Sequence, residues 1–202
     1  VFKANKYDKI YPDRNKEVDF LIKYLKGKTV LDIGGGTGII SEILNKKGFE
    51  CINIEPQSEM ALLSRKKVNT IECSAEDICF TGHITTGDKF DNAIMIFHVF
   101  NFLTNPKKAF QNIEELLKGR LIFSYWNYEV KNSGWKFSWK PLRLFRKKWN
   151  GDTVEIDFWY PFFHEKHIMR VYPDDYINGL LKNFKMLKKY KTKYTTIIVA
   201  EI

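Results

Sequence analysis

One stretch limits the folds open to this chain more than any other: Val30-Leu31-Asp32-Ile33-Gly34-Gly35-Gly36-Thr37-Gly38. Lys28–Ile33 is short, apolar and rich in β-branched residues, as a buried strand is. Four glycines in five residues close it. Ile39, Ile40, Ile43 and Leu44 then recur at helical spacing, and the pattern ends near Gly48. In a strand, glycine loop and helix so joined, the backbone turns tightly and can come close to a ligand. The helix behind it presents its N-terminus to negative charge.

The same alternation runs through the first two thirds of the chain. Val18, Leu21, Ile22 and Leu25 predict a helix over 14–27 that stops at Gly27. After the glycine loop, strand Glu50–Glu55, helix Ser58–Lys66, strand Val68–Cys73, strand Phe90–Phe97, helix Asn105–Leu117 and strand Arg120–Tyr125 follow. Five strands with helices between them predict right-handed crossovers and a Rossmann-like α/β fold: an open parallel sheet with helices on both faces. A helix Asp174–Leu181 and strands Lys185–Tyr190 and Tyr194–Glu201 fit an antiparallel C-terminal hairpin at the sheet edge.

Between them, residues 126–172 break the pattern. They hold all five tryptophans, Trp126, Trp135, Trp139, Trp149 and Trp159. So much aromatic surface needs something to cover, and we read the stretch as a cap or lid inserted in a single domain spanning 1–202. The chain carries a net charge of +9, concentrated late, at Lys131, Lys136, Lys140, Arg143, Arg146, Lys147 and Lys148 and again from Lys182 to Lys193. Such a surface attracts anions, RNA included, and equally describes a solvated lysine-rich face. No run is long and apolar enough for a membrane span, and the charged N-terminus is unlike a signal peptide, so a cytoplasmic protein is expected. Cys51, Cys73 and Cys79 form no CxxC pair; buried reduced thiols are expected rather than a disulfide framework or zinc site.

In an open α/β sheet the ligand sits at the carboxyl ends of the strands, against the first loop. A dinucleotide fingerprint asks for GxGxxG, but counting from Gly34 and Gly36 the third position is Ile39, and from Gly36 and Gly38 it is Ser41. The nicotinamide reading loses support. The pattern present instead is Asp32-x-Gly34-x-Gly36-x-Gly38, with Glu55 at the end of the second strand, where a carboxylate can accept two ribose hydroxyls.

With these residues the sequence resembles a family. VLDIGGGTG (30–38) is similar to the first motif of class I S-adenosylmethionine-dependent methyltransferases, and INIEP (52–56) to their acidic second motif. CSAEDICF (73–80) resembles the segment that lines adenine, and FDNAIMIFHVFNFL (90–103) the fourth strand and the helix leading from it. The resemblance implies S-adenosyl-L-methionine as cofactor, with Asp32, Gly34, Gly36 and Gly38 around its methionine end and Glu55 on the ribose. It implies Ser74, Ala75 and Glu76 near adenine and Phe97 at the end of the fourth strand. Many relatives carry an acid where Ser74 stands, which moves the expected adenine contact to Glu76 or Asp77. KYDKIYPDRNKEVDFL (6–21) resembles the opening of small-molecule methyltransferases acting on sugars and related metabolites, which implies that Tyr7 and Tyr11 fold over the cofactor.

Methyl transfer from a sulfonium is an in-line displacement, so such an enzyme chiefly aligns its reactants and removes a proton where the acceptor requires it. His98, directly after the fourth strand, is the candidate base, because a neutral imidazole can take a proton near physiological pH. His167 and Arg170 are candidates for facing the acceptor. His164 and His167 are three apart, a spacing that suits a metal pair on a helix. Their neighbours read as strand, where the two would point to opposite faces, so no metal is expected. A small polar acceptor, such as a sugar or nucleotide-linked sugar, is the leading expectation. The alternative is tRNA, with the basic, aromatic-interleaved 131–149 stacking bases, and a non-catalytic binding module is the third possibility.

Overall fold

The computed structural model describes residue 8 and residues 14–78, 84, 89–127, 134–139, 142–160 and 163–202. The parallel part of the fold is built from α1 (Asn15–Ile22), β1 (Thr29–Ile33), α2 (Ile39–Lys46), β2 (Glu50–Ile54), α3 (Ser58–Ser64), β3 (Asn69–Ile71), β4 (Phe90–Met95), α4 (Pro106–Leu116) and β5 (Leu117–Trp126). After β5 come β6 (Gly134–Trp139), β7 (Leu142–Asn150), β8 (Thr153–Tyr160), β9 (Phe163–Arg170), α5 (Asp174–Leu180), β10 (Lys185–Lys191) and β11 (Thr195–Glu201).

The main sheet has seven strands in the order β10-β11-β5-β4-β1-β2-β3. β1 to β5 run parallel, whereas β11 pairs antiparallel with β5, and β10 with β11. The Rossmann-like sheet with an antiparallel hairpin at one edge is therefore the architecture observed. Alternate residues of each strand feed different cores, because successive side chains of a strand point to opposite faces. Val30, Ile94, Ile122 and Val199 pack with Val18 and Leu21 of α1 and Ile40 and Leu44 of α2. Leu31, Ala93, Met95, Leu121 and Phe123 pack on the other face with Phe110 and Ile113 of α4 and Ile177 of α5.

Several boundaries differ from the sequence expectation for identifiable reasons. The first helix ends at Ile22 rather than Gly27. The chain must turn into β1, and Asp91 holds that turn by accepting from the backbone N–H of Lys28 (2.8 Å) and Thr29 (2.9 Å). Gly27, at φ +60°, is required there because a Cβ would lie 2.4 Å from the Asp91 carboxylate. β4 stops at Met95, and Phe97 and His98 leave the strand in left-handed conformation, with φ of 57° and 64°. β5 is longer than expected at both ends, since it pairs with β4 on one side and β11 on the other.

The aromatic stretch 126–172 holds a second, four-stranded antiparallel sheet in the order β6-β7-β8-β9. Its own small core is Val154, Ile156, Met169 and Val171, with Trp126 and Trp149 packed against it. Cys51 is buried and free, and burial followed by the Asp32 charge pushes its thiol up to about 12, so it is inert. Cys73 is half-buried, and Cys79 lies outside the described residues. No helix among the described residues is long and apolar enough to cross a membrane.

Candidate active site

A cavity of about 540 Å³ opens at the carboxyl ends of β1, β2 and β4, in the size range of small-molecule sites. Its floor is the glycine loop. Gly34, Gly36 and Gly38 have φ of 68°, 59° and 77°, a region that L side chains avoid. Gly35 is confined by space instead: a Cβ would lie 2.3 Å from Asn53 Oδ1 and 2.5 Å from Asp32 Oδ2. Nothing stands within 4 Å of a Cβ built on Gly36.

Two acids end the neighbouring strands. Asp32 is buried and accepts from the Ser41 hydroxyl at 2.7 Å. Burial pushes its carboxyl from 3.8 up to about 6, the Ser41 hydrogen bond opposes that, and the charge of Glu55 adds to it. Glu55 accepts from Gly36 N–H through Oε2 and from Gln57 N–H through Oε1, each at 2.9 Å, which fixes the carboxylate against the loop. Burial raises its pKa against those two backbone donors. Asn53 Oδ1, beside Gly35, is buried without a hydrogen-bond partner among the described residues. An orphaned buried acceptor is uncommon in a packed interior and marks a place where a donor belongs.

Ser74, Ala75 and Glu76 line the far end of the cavity. Ser74 donates to Asp77 at 2.8 Å. Glu76 is taken up by its own fold: Oε1 accepts from Thr104 N–H at 2.8 Å, the Thr104 hydroxyl at 3.1 Å and Asn105 N–H at 3.1 Å. Burial pushes against its ionisation, but the backbone donors of Asn105, Glu76 and Thr104 and the Thr104 hydroxyl outweigh it and hold the carboxyl below its ordinary range. Glu76 thus ties this wall to the entry of α4.

The third wall is the loop after β4. Ile96, Phe97, Val99, Phe102 and Leu103 line the cavity. Two consecutive non-glycine residues in left-handed conformation are costly, about 1–3 kcal/mol each, and persist only where their surroundings impose them. Here His98 N–H donates to Ser124 Oγ at 3.1 Å and Asn101 N–H to His98 O at 2.9 Å. Val99, in the short 3-10 turn Val99–Phe102, packs where any side chain on Gly34 would stand. His98 itself does not line this cavity. Its Nε2 lies 2.8 Å from Thr195 Oγ1 and its ring centroid 5.6 Å from that of Trp126. Burial, followed by the positive charge of Lys147, lowers its pKa to about 4, so the imidazole is neutral across the physiological range.

The second sheet supplies the roof through Lys166, His167 and Ile168 of β9. His167 meets Phe102 edge-on, with centroids 5.9 Å apart. His164, on the other face of the strand, lies 3.3 Å from Asp157, so the two histidines do not converge. Among the described residues no group of three or more His, Cys, Asp or Glu side chains gathers as a metal site would. Arg170 lies outside the cavity, and its guanidinium donates to Thr104 O at 3.0 Å. Tyr7 and Tyr11 lie outside the described residues, but Asp8 between them accepts from the Thr37 hydroxyl and from Lys67 Nζ, the latter at 2.7 Å.

Two residues that sequence reasoning missed stand out. Arg14 is buried, lines the cavity and holds its guanidinium 4.2 Å from the centroid of Phe97. Nothing in a run of charged residues marks one arginine as buried. Asn101 accepts from Trp126 N–H at 2.8 Å and donates to Arg170 O at 2.6 Å, tying the main sheet to β9. With acids at the strand ends and the Arg14 guanidinium, which also meets Glu17 at 3.5 Å, among its lining groups, the cavity carries both signs of charge.

Residues 11–185 match the family described as a methyltransferase domain, and the chain belongs to that family. Fold and family together are those of the S-adenosylmethionine-dependent methyltransferases. It is 29% identical over 126 residues to a ubiquinone biosynthesis O-methyltransferase of Coxiella burnetii (strain Dugway 5J108-111), a match covering 60% of this chain and 53% of that protein. The chain thus spans about half the length of the curated relatives it matches. Among solved structures it superposes on an S-adenosylmethionine-dependent methyltransferase from Clostridium acetobutylicum with a TM-score of 0.78 at 20% identity, covering 98% of this chain and 97% of that one. An amino pentose methyltransferase from Micromonospora echinaspora, solved with S-adenosylmethionine bound, gives a TM-score of 0.76 at 15% identity and covers 100% and 97%.

Proposed function

We propose that this chain transfers the methyl group of S-adenosylmethionine to a small polar metabolite held between the loop after β4 and the second sheet. The observation that carries the reading is the set of charges that line one cavity: Asp32 and Glu55 at the strand ends beside the glycine loop, and buried Arg14 on the same lining. Arg14 would take the methionine carboxylate as a charge-assisted hydrogen-bond donor. Asp32 would face the amino group, and the free lone pairs of Glu55 would accept the ribose hydroxyls. Ser74, Ala75 and Glu76 would flank adenine, with Phe97 against the methionine end. Bound there, the cofactor would supply an electrophilic methyl group. The protein's part is to hold the acceptor in line with it and keep water out. His167 on the roof is the side chain we assign to acceptor contact. His98 and Arg170 act from outside the cavity, on the loop and on Thr104.

The acceptor class is tested by incubating the protein with methyl-labelled S-adenosylmethionine and two separate pools, total RNA and a small-metabolite extract. Label entering the metabolite pool supports the reading; label entering RNA alone overturns it in favour of an RNA methyltransferase.

A further inference from the structure

Lys166, His167 and Ile168, consecutive residues of β9, all line the cavity. Successive side chains of a strand point to opposite faces, so a cavity that touches such a run lies along the strand's edge rather than over one face. β9 is the outer strand of the second sheet, with β8 on its inner side. The ladder fixes which backbone groups it turns outward. Val171 N–H donates to Asp152 O at 2.8 Å, and the register then runs without a shift from Thr153 opposite Arg170 to Tyr160 opposite Phe163. Inward and outward amides alternate along an antiparallel strand. Arg170, Ile168 and Lys166 therefore aim their N–H and C=O away from β8. The Asn101 side chain agrees with that phase, since it donates to Arg170 O at 2.6 Å from outside the sheet.

Asn101 thus closes the edge at Arg170. At Ile168 the edge opens into the cavity, and among the described residues no hydrogen bond is made to the outward N–H or C=O of Ile168. Ile168 and Phe102 are both exposed while lining the cavity, an apolar rim beside those groups. An unpaired edge is a template for a further strand. A residue that turns both N–H and C=O outward matches a residue that offers C=O and N–H in return, the exchange made in a hydrogen-bonded antiparallel pair. Resting on the proposed methyltransferase reading, we propose that the open edge of β9 selects the acceptor, which carries an amide-linked α-amino-acid residue, as a short peptide does. That residue lies beside Ile168 as an added strand, donating its N–H to Ile168 O and accepting Ile168 N–H, with its side chain at the apolar rim. The edge lines the same cavity as Phe97, which we place against the methionine end, so an acceptor paired to β9 is held beside the cofactor's methyl group.

The test reads the Ile168 amide itself, by residue-resolved hydrogen exchange on the isotope-labelled but otherwise unmodified protein in excess S-adenosylhomocysteine. The probes are a mixture of N-acetylated, C-amidated tripeptides of varied sequence, the matched depsipeptides in which an ester oxygen replaces the central N–H, and methyl glucoside. We expect the tripeptides to slow exchange at Ile168 saturably and at least about tenfold. The depsipeptides, short of one donor, should need at least about tenfold higher concentration, and the glucoside should have no effect. An Ile168 amide indifferent to the tripeptides, or slowed equally well by depsipeptides or glucoside, overturns the strand-edge site. As a second arm, I168P removes the outward N–H and leaves the ladder to β8 whole, a place where an edge strand admits proline. It should bind the tripeptides at least about tenfold more weakly by calorimetry, and unweakened binding again overturns the site. S-adenosylhomocysteine binding is measured on the same samples. A protein that binds it and fails the tripeptide tests overturns the strand-edge site alone, whereas one that fails to bind it overturns the methyltransferase reading itself.

Discussion

Three side chains carry the most informative consequences. Asp32 has its carboxyl raised from 3.8 to about 6. A raised carboxyl gives stability that is full below pH 3.8 and is lost as pH rises through about 6. The difference corresponds to about 3 kcal/mol. Asp32→Asn should therefore flatten the fall in stability between pH 4 and 6 and raise stability at pH 7 by about 1–3 kcal/mol, read by urea denaturation across pH. It should at the same time weaken cofactor binding, since the charge that costs stability is the one we propose for the cofactor's amino group. Arg14→Met should weaken S-adenosylmethionine binding by about tenfold to a hundredfold, the worth of a charged hydrogen bond, yet leave methylthioadenosine, which lacks the carboxylate, unaffected. Equal losses for both ligands would remove Arg14 from the carboxylate. His98 sits at about 4. If it accepts a proton during turnover, the rate should bend near pH 4 and stay level from pH 5.5 to 7.5; a bend near pH 6.5 would mean that neither its burial nor Lys147 controls it.

At the level of elements, the glycine loop is held by contacts on every side. Gly35→Ala drives a methyl group into Asn53 and Asp32 and should cost about 1–3 kcal/mol of stability through overpacking, visible as a lower urea midpoint with an unchanged slope. Strand, loop and helix around it were legible because each obeys its own period and the glycines interrupt both. The boundaries that drifted lie beside contacts with distant partners: Asp91 holds the entry into β1 after α1, and Ser124 and Asn101 hold His98 where the chain leaves β4. The second sheet is a different case, since its signals were present. Val154, Ile156 and Phe158 alternate with Glu155 and Asp157, a strand period. Gly151-Asp152 is a hairpin-turn signal, and as the first residue of that two-residue loop Gly151 has the positive φ, 63°, that the turn needs. The density of tryptophan and lysine masked that period, so the stretch reads as a cap or lid without most of its strands being identified. The buried Arg14 and the turn-bridging Asn101 could not be read at all, because both depend on contacts far apart in sequence.

Across the whole molecule, the net charge of +9 and the lysine-rich β10 edge make a surface that attracts polyanions. The cavity lies elsewhere, between the two sheets, and is lined by a few buried charged residues. Methyl transfer to a small acceptor should therefore change little between 50 and 200 mM salt, whereas an RNA substrate would lose affinity steeply over that range. The second sheet reaches the cavity through β9 and Lys147 reaches the loop behind it, so roof, loop and glycine floor are coupled in one body of contacts. All of this depends on the cavity being a site for S-adenosylmethionine. The direct measurement is calorimetric titration of S-adenosylmethionine and S-adenosylhomocysteine into the unmodified protein and Glu55→Ala. Micromolar binding, about −8 kcal/mol, that weakens at least about tenfold in the variant is the predicted result; no binding of either ligand to the unmodified protein would contradict the account.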